Sequence, residues 1–303
     1  MATDLVEVDG HTLKLSNLEK VMYPKTGFTK GQVIDYYARI APAILPHLRG
    51  RPLSLKRYPN GVEGGFFYQK SCPPHRPKWL PTVPVWSEGR GEDIIYCKCE
   101  ELADLVWLAN MANLELHTFL ARGKTIQNPT MMVYDLDPGA PAGLLECCEV
   151  AVWVRDELKD MGLRSLVKVS GSKGMQLYVP INTPTTYDVT KPLSRMIAER
   201  LSSEHPGKVT ANMRKDLRKG KIFIDWSQND EHKTTVCVYS LRGTPNPQVS
   251  VPLTWDEVEE ALANEDASPL WFSPDQAIAR YEEQGDLFKD VLTRKQRLPS
   301  LGA

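Results

Sequence analysis

A chain of 303 residues with 42% hydrophobic content can bury one large core or two modest ones, and a globular enzyme is the default expectation. It has no run of eighteen apolar residues and no basic-then-apolar N-terminal plan, so neither a membrane association nor secretion is expected, and a cytoplasmic location is. The formal net charge of -1 is unevenly spread: between 256 and 286 many carboxylates face the single base Arg280, which leaves the remainder net basic and suited to a polyanionic partner.

Two capping-box patterns open the chain, Ser16-Asn17-Leu18-Glu19 and Thr29-Lys30-Gly31-Gln32, and each predicts a helix start. After the second, Val33, Ile34, Tyr37, Ile40, Ala41, Ile44 and Leu45 recur at helical spacing until His47-Leu48-Arg49-Gly50 stops them. Leu53 to Arg57 alternates like a strand. Residues 71–92, rich in Pro, Gly and charge, read as an irregular loop, Glu101 to Met111 as a helix, and Leu114 to His117 as a strand. From about 126 the pattern becomes strand Met131 to Asp137, helix Leu144 to Met161, strands Leu166 to Ser170 and Met175 to Ile181, and helix Lys191 to Glu204. Strands Ile222 to Trp226 and Val236 to Leu241 follow, then an acidic helical stretch after Trp255.

No internal repeat interrupts this order, which predicts a single α+β domain with mixed β-sheets and flanking helices. Within it, about 1–125 form an N-terminal α/β module, about 126–255 a catalytic module, and about 256–303 an acidic helical C-terminal region. Cys72, Cys97, Cys99, Cys147, Cys148 and Cys237 include no CxxC pair, so no zinc is expected and the thiols are read as reduced.

The chemistry-bearing pattern is Tyr134-Asp135-Leu136-Asp137-Pro138-Gly139. On a strand both carboxylates project from one face, about 6–7 Å apart along the backbone, and hard oxygen ligands at that spacing suit magnesium or manganese. A solvated strand end is the competing explanation. A third carboxylate, Asp225, lies in the apolar run Ile222 to Trp226, where a metal or an ion pair with a base such as Arg214, Arg218 or Lys221 would offset its burial. Two ions could then stabilise the attacking and leaving oxygens of phosphoryl transfer.

Around the carboxylates lie bases. Val169 to Met175 is a small-residue loop carrying Ser170 and Lys173, able to present amides and an ammonium to phosphate, although it lacks Walker A spacing and leads into a strand. Six bases between Lys208 and Lys221 surround the single acid Asp216, and Arg242 follows; triphosphate charge could be neutralised there, or the run could be a wet surface. Lys20 and Lys30 sit at predicted helix starts, where amides and the helix dipole favour anions. Phe66 and Phe67 follow flexible glycines and suit base stacking, with burial the alternative. His117 shares a strand face with Glu115 and should face polar surroundings.

Together these segments resemble, nearly end to end, the polymerase domain of bacterial ligase D, of the archaeo-eukaryotic primase superfamily. The matching stretches are Ser16 to Pro24, Lys56 to Val62, Tyr134 to Gly139, Ser170 to Gly174, Phe223 to Asn229 and Tyr239 to Gly243. The resemblance implies a primase-polymerase fold with an RRM-like catalytic module and two metal ions, Mn2+ or Mg2+, on Asp135, Asp137 and Asp225. It places Lys56, His117, Ser170, Lys173, Arg218, Gln228 and Arg242 around the incoming nucleotide. Asn17, Lys20 and Lys30 would take the 5′-phosphate of gapped or broken DNA, and Phe66 and Phe67 would stack on the template. One position departs: the family motif runs Ser-Gly-x-Lys-Gly-x-His, and Gln176 stands where the histidine is expected, so altered kinetics without loss of activity are expected.

The function so implied is template-directed nucleotidyl transfer from NTP or dNTP, with a ribonucleotide preference, in DNA repair such as non-homologous end joining. A Ku-like end-binding protein and a separate ligase are the implied partners. A non-catalytic DNA-end binding module and a metal-dependent phosphodiesterase are the alternatives; the intact carboxylates oppose the first, and the triphosphate-sized set of bases opposes the second.

Overall fold

The computed structural model describes residues 3–299. Its chain divides into two compact units, each discontinuous: the first takes the chain up to Lys124 with Thr234–Ser250 and Ser273–Gly285, the second Thr125–Lys233, Val251–Phe272 and the chain from Asp286 onward.

In the first unit an antiparallel sheet runs Thr234–Val236, Asn113–Phe119, Leu53–Arg57, Glu92–Cys97, Thr82–Ser87, with Phe67–Gln69 also paired to Leu53–Arg57. The helix Lys30–Leu48 begins as its sequence predicts: Gln32 N donates to Thr29 Oγ1 at 3.3 Å and Thr29 N to Gln32 Oε1 at 2.8 Å, and all seven apolar positions of its stripe are buried. The helix Leu102–Asn110 lies over its own buried face of Leu105, Val106, Leu108 and Ala109.

Four expectations fail here. Val236 to Leu241 is not one strand: Thr234–Val236 and Leu241–Arg242 are separated by a turn in which Tyr239 takes a positive φ of 64°. Ser16-Asn17-Leu18-Glu19 is a turn rather than a helix start: Asn17 takes a positive φ of 56°, Lys20 N closes onto Asn17 O, and Leu18 O accepts from Gly31 N in the first turn of the helix Lys30–Leu48. Residues 71–92 are not wholly irregular, since Thr82–Ser87 and Glu92–Cys97 pair residue for residue. Pro84 obscures that strand, and it is tolerated because the strand is at the sheet edge. Cys72 and Cys97 form a disulfide, because Cys72 N donates to Ile95 O and draws the loop alongside the strand, with the Cα atoms 5.0 Å apart. Cys99, Cys147, Cys148 and Cys237 are free and buried. An N-terminal hairpin, Thr3–Val8 with His11–Ser16, turns on Asp9-Gly10, both at positive φ.

The second unit is a six-stranded mixed sheet in the order Val209–Thr210, Ile222–Asp225, Met131–Pro138, Met175–Pro180, Leu166–Val169, Pro252–Leu253, parallel only at the first pair. The helices Leu144–Asp160 and Tyr187–Glu204 pack on it, burying Cys147, Val150, Val154, Leu193 and Ile197. Met131–Pro138 is central, which is why Met131 to Tyr134 are buried and only its C-terminal end opens to solvent. The acidic stretch holds the helix Trp255–Ala263 in this unit and the helix Pro274–Gln284 in the first. No helix among the described residues is long and apolar enough to cross a membrane.

Candidate active site

In the second unit the sheet register aligns the predicted carboxylates. Asp135 is the Cα partner of Asp225 on one side and of Gln176 on the other, and Asp137 lies two residues along the same face. Gln176 Nε2 donates to Asp135 Oδ1 at 3.0 Å. Burial, then repulsion from Asp137, pushes the Asp135 carboxyl up from its ordinary range; the Gln176 hydrogen bond pulls it down, and Asp225 pushes again. Like charges gathered at a half-buried strand end are stabilised by a cation.

Among the described residues no three His, Cys, Asp or Glu side chains already converge on a point that would hold an ion. The reason is visible at Asp225, which caps the short turn Trp226–Gln228: its Oδ1 accepts from Ser227 N at 3.0 Å and Ser227 Oγ at 2.6 Å, and its Oδ2 from Gln228 Nε2 at 3.1 Å. Hard carboxylate oxygens on adjoining strands are a fitting donor set for Mg2+ or Mn2+.

Asn229, fully buried, fixes the strand end that carries Asp225: its Oδ1 accepts from Val133 N at 2.9 Å and its Nδ2 donates to Val133 O at 2.7 Å. The tight turn of residues 170–174 is closed by Ser170 N donating to Gly174 O, with Ser170 Oγ accepting from Ser172 N and Gly174 N at 3.3 Å each. A Cβ on Gly174 would lie 1.9 Å from Leu136 O, so the loop presses backbone to backbone against the Asp135 strand. Lys173 rides on that turn. The Arg218 guanidinium stacks 3.6 Å over Phe223, the cross-strand partner of Asp137, and donates to Met213 O at 2.7 Å. Arg218 Nε and Gln228 Oε1 are buried without a hydrogen-bond partner, which leaves a donor and an acceptor unsatisfied near the carboxylates.

In the first unit Lys56, His117 and Arg242 gather on Glu115, whose side chain is 2% exposed. Its Oε1 accepts from Lys56 Nζ at 2.9 Å, Tyr58 Oη at 2.7 Å and Gly243 N at 3.0 Å; its Oε2 meets His117 Nε2 at 3.0 Å and Arg242 Nε at 3.2 Å. Burial alone would raise the Glu115 carboxyl, but the His117 hydrogen bond and the charges of Arg242, His117 and Lys56 outweigh it and hold it far below the usual carboxylate range. For His117 burial lowers the imidazole pKa and outweighs the Glu115 hydrogen bond and charge, which raise it. His117 thus faces polar groups as predicted, yet it is buried because its strand is covered on both faces. Gly243 is held to glycine, since a Cβ there would lie 2.0 Å from Tyr58 Oη.

Lys20 and Lys30 come together at the start of the helix Lys30–Leu48, where Lys30 N donates to Lys20 O. Lys30 Nζ donates to Ser16 O at 2.6 Å; Lys20 Nζ donates to Pro59 O at 2.6 Å and reaches Asn60 Oδ1 at 3.4 Å. Burial, then the neighbouring Lys20 charge, lowers the Lys30 pKa to about 8. Asn17 forms the turn that delivers Lys20. Phe66 and Phe67 are 54% and 46% exposed rather than buried, beneath Lys56 and Arg57 at 4.0 and 5.4 Å from their ring centres.

Residues 29–288 match the family of LigD primase-polymerase domains. The chain belongs to that family. A LigD from Mycobacterium tuberculosis, described as a multifunctional non-homologous end joining DNA repair protein, is 38% identical over 94% of this chain and 39% of its own length. LigD of Mycolicibacterium smegmatis is 40% identical over 91% of the chain and 35% of its own length, and the bifunctional LigD of Bacillus subtilis 32% identical over 95% and 45%. The chain therefore spans about two fifths of the length of these LigD relatives. The solved polymerase domain of Mycobacterium tuberculosis ligase D in complex with DNA superposes with a TM-score of 0.85 at 36% identity, covering 94% of this chain and 99% of that one. As a LigD primase-polymerase domain the chain is a nucleotidyltransferase of a metal-dependent polymerase family. Glu115 and Asn229 were not singled out by the sequence, because their main partners are distant in the chain and an acid on an alternating strand gives no other signal.

Proposed function

We propose that the chain extends DNA primers at gaps and breaks during end joining, with Asp135, Asp137 and Asp225 as its metal ligands. The observation that supports this most is the cross-strand juxtaposition of three carboxylates at the open end of a buried strand, in a chain of the LigD primase-polymerase family. Two Mn2+ or Mg2+ ions bound there would supply Lewis-acid stabilisation of the attacking 3′-hydroxyl and of the departing pyrophosphate. The protein's part is to orient and neutralise. Lys173 and Arg218 take triphosphate oxygens, Ser170 holds the turn that carries Lys173, and Gln228 offers its unsatisfied Oε1 as an acceptor. Lys56, His117 and Arg242, aimed by Glu115, also serve the incoming nucleotide. Asn17, Lys20 and Lys30 take the 5′-phosphate of the downstream strand, and Phe66 with Phe67 offer exposed faces to template bases.

Ribonucleotide preference, a Ku-like end-binding partner, a separate ligase activity and a cytoplasmic location belong to the same proposal; the end-joining descriptions of the LigD relatives support the partners. The test is extension of a gapped, 5′-phosphorylated duplex with each nucleotide set in Mn2+ or Mg2+, with Asp135→Ala plus Asp137→Ala as control.

A further inference from the structure

Lys168 is fully buried in the strand Leu166–Val169, a costly place for an ammonium unless negative charge is close. The sheet register supplies that charge. Lys168 is the Cα partner of Gln176, Gln176 of Asp135, and Asp135 of Asp225, so four side chains form one row on one face across four strands. Two strand spacings put the Lys168 and Asp135 backbones about 10 Å apart, with both side chains on the same face. Tyr178 lies on the same face, its ring centre 5.7 Å from Lys168 Nζ and its hydroxyl donating to Gln176 Oε1 at 3.4 Å. Gln176 bonds Asp135 but carries no charge, so in this row the formal positive charge is that of Lys168. Electrostatically Lys168 is among the groups that stabilise ionised Asp135.

We propose that Lys168 is a positioning residue for the carboxylate site: its fixed charge balances Asp135 and Asp225 in the row, and Asp137 beside it, before a divalent cation arrives, and then opposes that cation. This rests on the proposal that the three carboxylates bind metal. The sign is distinctive, because a merely structural lysine would contribute equally with and without the ion.

The test is thermal melting of the full chain in chelator and in saturating MnCl2, with calorimetric Mn2+ titration in the absence of nucleotide. Lys168→Met is expected to melt lower than wild type in chelator yet to bind Mn2+ roughly tenfold more tightly, since a unit charge at this range is worth about that factor. Its Mn2+-induced rise in Tm should exceed the wild-type rise by about 2–4 °C. Lys168→Arg should match wild type in both readouts. If Lys168→Met gives no soluble protein, Lys168→Gln is read in the same way. Equal Mn2+ shifts for wild type and the uncharged variant, or an arginine variant that behaves like the uncharged one, overturn the proposal. A wild-type Mn2+ shift that is missing, or that survives Asp135→Ala plus Asp137→Ala, instead removes the carboxylate proposal on which it rests.

Discussion

Replacing Glu115 by Gln keeps the shape of a buried side chain while removing the charge on which Lys56, Arg242, His117, Tyr58 and Gly243 converge. Breaking a buried ion pair from one side typically costs about 3–5 kcal/mol, because the partner charge stays buried without compensation. Lys56 and Arg242 qualify, with side chains only 13% and 15% exposed. For a chain of this size that is a fall in Tm of roughly 6–20 °C, a large share of a typical stability. The pH dependence adds a second readout. The folded Glu115 is held far below its unfolded value of about 4.3, so its contribution is fully present above that pH and is lost as pH falls below it, by about 1.4 kcal/mol per unit. Melting of wild type and Glu115→Gln from pH 7 to pH 3 should therefore show a gap that is constant down to about pH 5 and narrows below pH 4. A variant melting within about 1 °C of wild type at pH 7, or a gap that does not change with acid, would refute the network as the organiser of these residues.

Lys30, with its pKa lowered to about 8, should hold a 5′-phosphate well at pH 7 and progressively less as pH rises through 8. Gap extension on phosphorylated against unphosphorylated downstream strands should show that decline, and Lys30→Arg should abolish it. The unfolded lysine, near 10.4, binds more protons between these values, so folding stability should rise with pH across the same window. Lys20→Ala with Lys30→Ala should cost the preference for phosphate but not extension of simple primers; equal loss on both would count against the pocket. Gly174→Ala drives a Cβ into Leu136 O and should destabilise by about 1–3 kcal/mol with a matching drop in extension, read by Tm and rate. Gly207→Ala, with open space around it, is the control expected to change stability by under about 0.5 kcal/mol.

Much of this was legible in the chain. The alternation of Asp135, Leu136 and Asp137 fixed which face the carboxylates share, and the capping box at Thr29 fixed the helix that carries Lys30, because both are local rules that packing did not override. Where tertiary contacts decided, local rules failed. The pattern at Ser16 was spent on a turn that docks Leu18 O onto Gly31 N, and the strand around Pro84 exists only because an edge has no inner partner to lose. The Asp9-Gly10 hairpin had a readable turn signal that its short, half-polar flanking strands masked. Cys72 and Cys97 sit 25 residues apart with no spacing motif, so their meeting depends on the loop lying beside the strand. Glu115 carried no sign of its role, since its five donors come from three separate stretches of chain, around Lys56, at His117 and at Arg242.

The most direct measurement is single-nucleotide extension on a gapped, 5′-phosphorylated duplex by the wild type and by the Asp135→Ala, Asp137→Ala double variant, each with and without Mn2+. The account predicts templated, metal-dependent addition by the wild type and none by the double variant, with both folded. Extension that persists in the variant, or its absence from the folded wild type with metal and nucleotide present, would contradict it.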